Sequence, residues 1–211
     1  MNKIIFLSYF LDENTPIYGG IENSFVIKTS NQITNGDSSN NMHFSFPNHI
    51  GTHIDFPYHF NNEGKKCSDY PASFWYFSKI GFLNCKIEDI EKEAIKLPKD
   101  IEILIIKTGF GNKRGKDEYW QKQPIIPSNL AYFLKNNFSK IRVIGFDLIS
   151  LTSKLNREEG KKAHLDFLIN NDILVLEDMK LDELIETPSN LLIAPLQVKN
   201  ADGAPCNVFA W

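Results

Sequence analysis

Cysteine is scarce in this sequence, with three residues, at positions 67, 85 and 206, among 211. Their number is odd and their spacing matches neither a disulfide framework nor a cysteine-rich metal site, so we expect free thiols in a cytoplasmic protein. No apolar run approaches the ~18 residues that a membrane-spanning helix needs. The first sixteen residues carry a single lysine and soon reach acidic residues, which predicts a strand rather than a signal peptide.

A basic excess is also missing. The chain has 23 basic and 26 acidic residues and a net charge of -3 at pH 7, whereas nucleic-acid-binding proteins carry a basic surface or stripe. The one basic run, NKRGK at 112–116, lacks the glycine spacing of a phosphate-binding loop and is predicted to be a solvated loop. We therefore expect a small-molecule substrate, with no nucleic acid and no membrane as partner.

Repeats, low-complexity tracts and linkers are lacking as well, while apolar residues make up 42% of the chain. A chain of this length and composition can bury one large core, so residues 1–211 are predicted to form a single domain. Apolar or alternating runs predict seven strands. These are Lys3–Phe10, Glu22–Ile33, Met42–Phe46, Ile101–Lys107, Ile141–Phe146, Ile173–Leu176 and Asn190–Val198.

Two segments have helical periodicity. The first, PSNLAYFLKNNF, offers Ser128 as an N-cap, and the second, REEGKKAHLDFLINND, places Leu165, Leu168 and Ile169 on one face. Strands dominate the first part of the chain, and helices alternate with strands in the second. This order predicts an α/β domain with a mixed sheet.

Histidine is scarce too, yet three of the five histidines lie in one short stretch, HIGTHIDFPYHF at 49–60. In an extended chain these positions have the same parity, so His49, His53, Asp55 and His59 can point to one face. Gly51 and Pro57 would bend the path of this segment and allow its ends to converge. Imidazoles and a carboxylate together bind a divalent transition metal such as Zn²⁺ or Mn²⁺. Without a cation, burying the same groups side by side would be costly, which makes a purely structural role the weaker hypothesis.

Cysteine is absent from this cluster, which disfavours a closed structural zinc site and favours a catalytic site with a coordination position open for water. A metal lowers the pKa of such a water towards about 7, and a nearby histidine can carry a proton to a leaving group. The residues thus predict a site that activates water. The alternative is a metal-binding protein without catalysis, which would have no need of a proton-carrying histidine beside its ligands.

The motif His49-x-Gly-Thr-His53-x-Asp55-x-Pro-x-His59 resembles the signature of the cyclase family of metal-dependent hydrolases, which includes bacterial kynurenine formamidase (arylformamidase) and isatin hydrolase. Weaker similarities follow in order along nearly the whole chain, in LSYFLDENTPIYGG, IIKTGF, IGFDLIS, AHLDFLINNDILVLEDM and APLQVKNADGAP. The resemblance implies a swivelling β/β/α fold and a homodimer or homotetramer. It also implies hydrolysis of a formamide or related amide or lactam, with N-formylkynurenine-like aryl formamides as one substrate class.

The resemblance further implies roles for individual residues. Five of them would hold one or two Zn²⁺ or Mn²⁺ ions: His49, His53, Asp55, His164 and Glu177. Asp55 would bridge the ion bound by the motif to a second ion held by His164, and Glu177 would bridge or bind from the end of ILVLE. His59 would be the proton donor and acceptor. Tyr18, in the aromatic position of the opening loop, would bind a planar substrate.

The sequence departs from the family pattern at three places. Gly19 stands where formamidases often carry proline, twelve residues (one more than in formamidases) separate His164 from Glu177, and Cys206-Asn207 stands where the family often ends Pro-x-Arg. These departures concern the substrate and the second metal more than the motif itself. A hydrolase or lyase of the same architecture that acts on a cyclic lactam or ester is therefore a third hypothesis.

Overall fold

The computed structural model describes residues 3–21 and 23–211, so Glu22, the first residue of one predicted strand, lies outside the described residues. The described residues form the strands β1 Ile5–Phe6, β2 Val26–Asn31, β3 Asn41–Ser45, β4 His53–Asp55, β5 Tyr76–Phe77, β6 Ile80–Asn84, β7 Ile103–Lys107, β8 Val143–Phe146, β9 Leu174–Glu177, β10 Leu191–Pro195 and β11 Gly203–Ala210. The α-helices are α1 Ile90–Ala94, α2 Glu118–Gln121, α3 Leu130–Asn137 and α4 Arg157–His164.

Nine of these strands form one mixed sheet in the order β5-β10-β11-β4-β9-β8-β7-β6, and β1 pairs with β11. Strands β6 to β9 are parallel to their neighbours in the order β6-β7-β8-β9, while β4 is antiparallel to both β9 and β11. β7, β8 and β9 consist mostly of buried apolar residues, as expected for parallel strands covered on both faces. The mixed sheet confirms the predicted α/β fold.

Each of the seven predicted strands overlaps an observed one, but their lengths differ. The first is predicted over Lys3–Phe10, but only Ile5–Phe6 forms a strand, with one more backbone hydrogen bond from Leu7 to Val208 of β11. The Tyr9 amide then donates to the Thr52 hydroxyl instead of a strand partner. The sequence patterns do not predict β4, β5, β6 or β11. β4 and β5 are too short to show a period of two, and glycine or proline lies within β6 and β11.

The predicted N-cap at Ser128 is wrong. α3 begins at Leu130, and Asn129, the residue before it, makes no side-chain capping bond. Ser128 instead holds two segments together, because its backbone amide donates a 2.7 Å hydrogen bond to the Glu159 carboxylate of α4.

The second predicted helix has two parts. α4 ends at His164, and a π-helical segment, Leu165–Asn170, continues it towards β9. The extra residue per turn rotates the buried face, so that Phe167 is fully buried while Leu165 and Ile169 are only partly buried. The face predicted from α-helical periodicity is therefore only partly correct.

The basic run at 112–116 is not a fully solvated loop as predicted. The Arg114 side chain is only 17% exposed and pairs with Asp178, which is buried. Its guanidinium also lies over the Tyr9 ring, 3.8 Å from the ring centroid. Within 3–21 and 23–211, no helix has both the length and the apolar character to span a membrane.

Candidate metal centre

β4 and β9 bring two carboxylates and a histidine to one face of the sheet. His53 and Asp55 are two residues apart in β4, so their side chains leave the same face, while Ile54 between them enters the core on the other. The strand register pairs His53 directly with Glu177 of β9. Directly paired residues project to the same side of a sheet, so Glu177 joins the two β4 side chains. All three side chains are almost completely buried.

Turns on either side of β4 bring His49 and His59 to the same place. Gly51 has a φ of +59°, a left-handed conformation that favours glycine, and Pro57–His59 form a 3₁₀ turn. Only His53–Asp55 is a strand. The motif histidines therefore converge through two turns, at the two positions, Gly51 and Pro57, where the sequence predicts bends, and only the part between them is a strand.

His164 reaches the cluster from the other direction. It ends α4, in the connection between β8 and β9, and its Nε2 lies 3.4 Å from Asp55 Oδ2 and 3.5 Å from Glu177 Oε1. The π-helical segment follows His164 directly. A π-helical turn contains about one residue more than an α-helical turn, so this segment takes up one residue more between His164 and Glu177 than an α-helix with the same number of turns.

Asp55 and Glu177 each present one oxygen to either side of the cluster. On one side, Asp55 Oδ1 lies 2.8 Å from His49 Nδ1 and 3.6 Å from His53 Nε2. On the same side, Glu177 Oε2 lies 3.3 Å from His53 Nε2. On the other side, Asp55 Oδ2 and Glu177 Oε1 face His164. Two groups of candidate ligand atoms result, and both carboxylates belong to each group.

The hydrogen bonds of His53 and His164 leave one nitrogen of each ring available to bind a metal. Their Nδ1 atoms lie 2.8 Å from the Gly51 carbonyl oxygen and 2.9 Å from the Gly160 carbonyl oxygen, respectively. A carbonyl only accepts, so Nδ1 donates, and a neutral ring then directs its Nε2 lone pair at carboxylate oxygens. A cation or a proton must lie between such atoms. The separations of 3.3–3.6 Å are close to the about 3.3 Å between ligands of a tetrahedral zinc with bonds of about 2.0 Å.

The charges of the cluster also favour a cation. Burial lowers the pKa of a histidine, but the carboxylates of Asp55 and Asp202 outweigh burial and raise the pKa of His49 to about 9. Asp55 and Glu177 likewise outweigh burial and raise the pKa of His164 to about 10. Burial raises the pKa of a carboxyl group, yet hydrogen bonds from His164 and His49 hold the pKa of Asp55 well below its usual range. A divalent cation can supply this positive charge in place of protons.

Asp202 is a residue of the site that the sequence patterns do not identify. Its Oδ2 lies 2.8 Å from His59 Nδ1 and 3.0 Å from His49 Nε2. The only signal in the sequence is its place in the closing segment NADGAP, more than 140 residues after the histidine motif. The turn before β11 brings it back, because β11 pairs with β4 and places Gly203 opposite Asp55.

A cavity of about 320 Å³ opens over the cluster. Ile17, Tyr18 and Phe60 contribute apolar surface to its walls, so the predicted substrate-binding Tyr18 lies beside the candidate ligands. Trp120 packs against the loop that carries Tyr18. It lies so close to Gly20 that a Cβ atom on residue 20 would be 2.6 Å from the indole ring. The cavity can therefore hold a small molecule against the cluster.

Comparison with known proteins agrees with this geometry. Residues 5–152 match the Cyclase family, described as "Putative cyclase". The chain is 32% identical over 209 residues to the kynurenine formamidase of Geobacillus thermodenitrificans (strain NG80-2), an alignment that covers 97% of this chain and 95% of that protein. It is 28% identical to the kynurenine formamidase of Bacillus mycoides (strain KBAB4), covering 94% and 95%.

The fold has a close counterpart among solved structures. Isatin hydrolase A from Labrenzia aggregata, bound to benzyl benzoate, superposes with a TM-score of 0.81 at 20% sequence identity, covering 99% of this chain and 93% of that chain. A structure described as a potential metal-dependent hydrolase with cyclase activity superposes with a TM-score of 0.75 at 20% identity, covering 99% and 96%. The fold is therefore that of isatin hydrolase. Taken with the sequence matches to the family and to the kynurenine formamidases, this shows that the chain belongs to the cyclase family.

Proposed function

We propose that this protein is a metal-dependent hydrolase that cleaves a formamide or a related amide or lactam bond, with an aryl formamide of the N-formylkynurenine type as the first substrate to test. The observation that carries the proposal is the pair of buried carboxylates with three histidine nitrogens aimed at them, at the floor of a cavity. The names of the kynurenine formamidase relatives support the choice of substrate class.

Five residues would hold one or two ions: His49, His53, Asp55, His164 and Glu177. Imidazole and carboxylate donors without cysteine suit Zn²⁺ or Mn²⁺. When bound there, the metal supplies Lewis acidity, which lowers the pKa of a coordinated water and stabilises negative charge on a carbonyl oxygen. The two groups of ligand atoms, which share Asp55 and Glu177, support two ions per chain.

We assign the proton transfers to His59. Its side chain is 31% exposed, whereas Asp55 is 2% exposed, so His59 is open to the cavity rather than enclosed among the ligands. Its Nδ1 bonds to Asp202, which leaves Nε2 for the reaction. Nε2 would take a proton from the attacking water as the new C–O bond forms at the formyl carbon. It would return that proton to the nitrogen as the C–N bond breaks, giving formate and an amine.

The substrate would lie against Tyr18. Its hydroxyl is buried and has no hydrogen-bond partner among the residues 3–21 and 23–211, so a polar group of a bound molecule could satisfy it. The ring beside it suits stacking on a planar substrate. The cavity volume of about 320 Å³ lies at the small end of the range for ligand sites, which favours a single small aromatic molecule.

The test is release of formate and amine from an aryl formamide, measured with protein stripped by chelator and then reloaded with Zn²⁺ or Mn²⁺. We expect turnover only after reloading. Tight metal binding without turnover of any substrate would instead support the metal-binding protein without catalysis. Turnover confined to a parallel panel of lactams and esters would support the third hypothesis, a hydrolase of cyclic substrates.

We further propose a homodimer or homotetramer, with the hairpin of β2 and β3 at the contact. One face of this hairpin carries Ile27, Phe44 and Met42, which are at least 36% exposed. A two-stranded hairpin is only marginally stable alone, and an exposed apolar face marks a surface that packs against another protein. Phe44→Glu should therefore shift the mass measured by light scattering towards the monomer. Lys28→Glu, on the opposite face, should not.

We propose that residues 1–211 act as one catalytic domain, which is supported by the pairing of β1 with β11 in the same sheet as β4. The three free cysteines support a cytoplasmic location.

A further inference from the structure

Asp202 contacts two functional histidines with one oxygen. Its Oδ2 accepts from His59 Nδ1 at 2.8 Å and lies 3.0 Å from His49 Nε2. The His49 and His59 rings lie close together, with centroids 4.1 Å apart and planes inclined by 33°. A single carboxylate oxygen thus fixes two neighbouring imidazoles.

The turn around Asp202 is built to hold that oxygen in place. Asn48 donates its side-chain amide to the other oxygen, Oδ1, at 2.6 Å, and the Phe56 backbone amide donates to the Asp202 carbonyl at 2.9 Å. The next residue, Gly203, leaves room for His49, because a Cβ atom there would lie 2.3 Å from the His49 ring. Asp202 is therefore restrained at its carbonyl and at both of its carboxylate oxygens.

These contacts set which nitrogen of each ring carries hydrogen. A carboxylate accepts only, so His59 has its hydrogen on Nδ1 and His49 on Nε2. The reactive nitrogen of His59 is then Nε2. The Nδ1 of His49 faces an Asp55 oxygen at 2.8 Å, so in the metal-free protein it carries a second hydrogen, which a bound cation would replace. Carboxylates that fix the tautomer of a catalytic or metal-binding histidine in this way commonly affect activity without touching the substrate.

We propose that Asp202 is the positioning residue for the proton transfers: it holds His59 in the Nδ1–H tautomer and orients Nε2 towards the reacting atoms. This inference rests on the proposed function, because it assigns a role within the same hydrolysis. Asp202 acts through His59 and does not itself contact the substrate.

A purely structural role, in which Asp202 supports only the metal ligand His49, predicts different behaviour. Loss of the carboxylate would then reduce metal content, and it would lower kcat by the same factor whether or not His59 is present. A positioning role predicts instead that Asp202 has no further effect once His59 has been removed, because residues that act as a unit are not additive.

The experiment is a double-mutant cycle with Asp202→Asn, His59→Ala and the combined variant, assayed on an aryl formamide at saturating Zn²⁺. We expect Asp202→Asn to lower kcat by about 10- to 100-fold with KM and zinc content unchanged. The combined variant should have the activity of His59→Ala alone. Asp172→Asn, which removes an exposed carboxylate that pairs with Lys65, is the matched control and should leave kcat, KM and zinc content unchanged.

A second measurement does not depend on turnover. In ¹⁵N NMR spectra of the zinc-loaded protein, His59 should be protonated at Nδ1 and His49 at Nε2, and Asp202→Asn should give His59 a mixture of tautomers. An unchanged His59 tautomer, or an equal loss of kcat with and without His59, would overturn the role of Asp202. Failure of the metal-loaded wild-type protein to hydrolyse any substrate would overturn the proposed function instead, and the spectra would still decide the positioning role.

Discussion

Asp55 and His59 lie four residues apart in the same motif but in different surroundings. Asp55 is buried and shared by both groups of ligand atoms, whereas His59 lies at the edge of the cluster and its Nδ1 bonds to Asp202. We predict that Asp55→Ala loses metal and stability together, since metal binding and folding are coupled. His59→Ala should keep its metal while kcat falls by about 10²- to 10⁴-fold, the usual contribution of general acid–base catalysis.

Elemental analysis and thermal unfolding of the two variants, measured beside their kinetics, check this division. His43→Ala, which removes an exposed histidine of β3, serves as the control for general effects of histidine loss. Equal metal loss in the Asp55 and His59 variants would make His59 a ligand. The geometry behind such a result would be the group of His49, Asp55 and His59, whose ligand atoms lie within 4.8 Å of one another.

Arg114 gives a prediction about stability. Its guanidinium makes two parallel hydrogen bonds to the Asp178 carboxylate, at 3.0 and 2.9 Å, and Asp178 also accepts from the Tyr119 hydroxyl. Removing one partner of a buried ion pair leaves an uncompensated charge, so Arg114→Ala should lower the free energy of unfolding by about 3–5 kcal/mol. Urea titration measures this. Lys113→Ala, which breaks an exposed ion pair with Glu118, should lower the free energy of unfolding by less than about 1 kcal/mol.

The same residue shows where sequence reasoning fails at this scale. Within NKRGK nothing distinguishes Arg114 from its lysine neighbours, because its partner Asp178 lies 64 positions later. Asp202 is missed for the same reason, since it lies 143 positions after His59. The histidines of 49–60 are predictable because they lie with Asp55 in one short stretch, even though their other partners, Asp202 and Glu177, lie far along the chain. His164 and Glu177 could be identified only through the family resemblance.

At the scale of elements, the strands that the sequence predicts best are those buried on both faces. β7 and β8 are continuous apolar runs, and each lies within its predicted range. β4 is the strand on which the candidate site is built, and it cannot be found in this way. Its three residues include two polar side chains that face the cluster, so its position depends on pairing with β9 and β11 rather than on local propensity.

The π-helical segment Leu165–Asn170 gives a prediction about spacing. If it accommodates one additional residue between His164 and Glu177, then deletion of Asn170 should let the segment become an α-helix without moving His164. Metal content should stay near that of the wild type, and Tm should change by less than about 4 °C, equivalent to about 1 kcal/mol in a chain of this length.

Deletion of Lys161 is the matched control for this experiment. It removes one exposed residue from α4, before His164 rather than after it, and turns His164 by about 100° relative to the start of the helix. The metal should then be lost. Retention of metal after deletion of Lys161, or its loss after deletion of Asn170, would contradict the proposed role of the π-helical segment.

At the scale of the whole molecule, the candidate site joins parts of the chain that are far apart in sequence. The motif, α4, β9 and the turn before β11 all converge on one face of the sheet. Ion pairs between the histidines and the carboxylates therefore hold these parts of the chain together. Stability of the metal-free protein should depend on the protonation of these histidines.

The direction of that dependence follows from the raised pKa values of about 9 for His49 and about 10 for His164. An unfolded histidine titrates near about 6.5, so the stabilisation is fully present below that pH and is lost as the pH rises through 9 and 10. We predict that Tm of chelator-treated protein falls as the pH is raised from about 6.5 towards 10.

Metal should reverse this trend. Ligands bind metal in their deprotonated form, so affinity rises with pH and the bound ion stabilises the folded state. Tm of the protein with Zn²⁺ or Mn²⁺ should therefore separate from that of the chelated protein as the pH increases. Thermal scans across this pH range measure the separation, with His43→Ala expected to match the wild type. Parallel curves with and without metal would mean that the histidines and carboxylates of the cluster hold no cation.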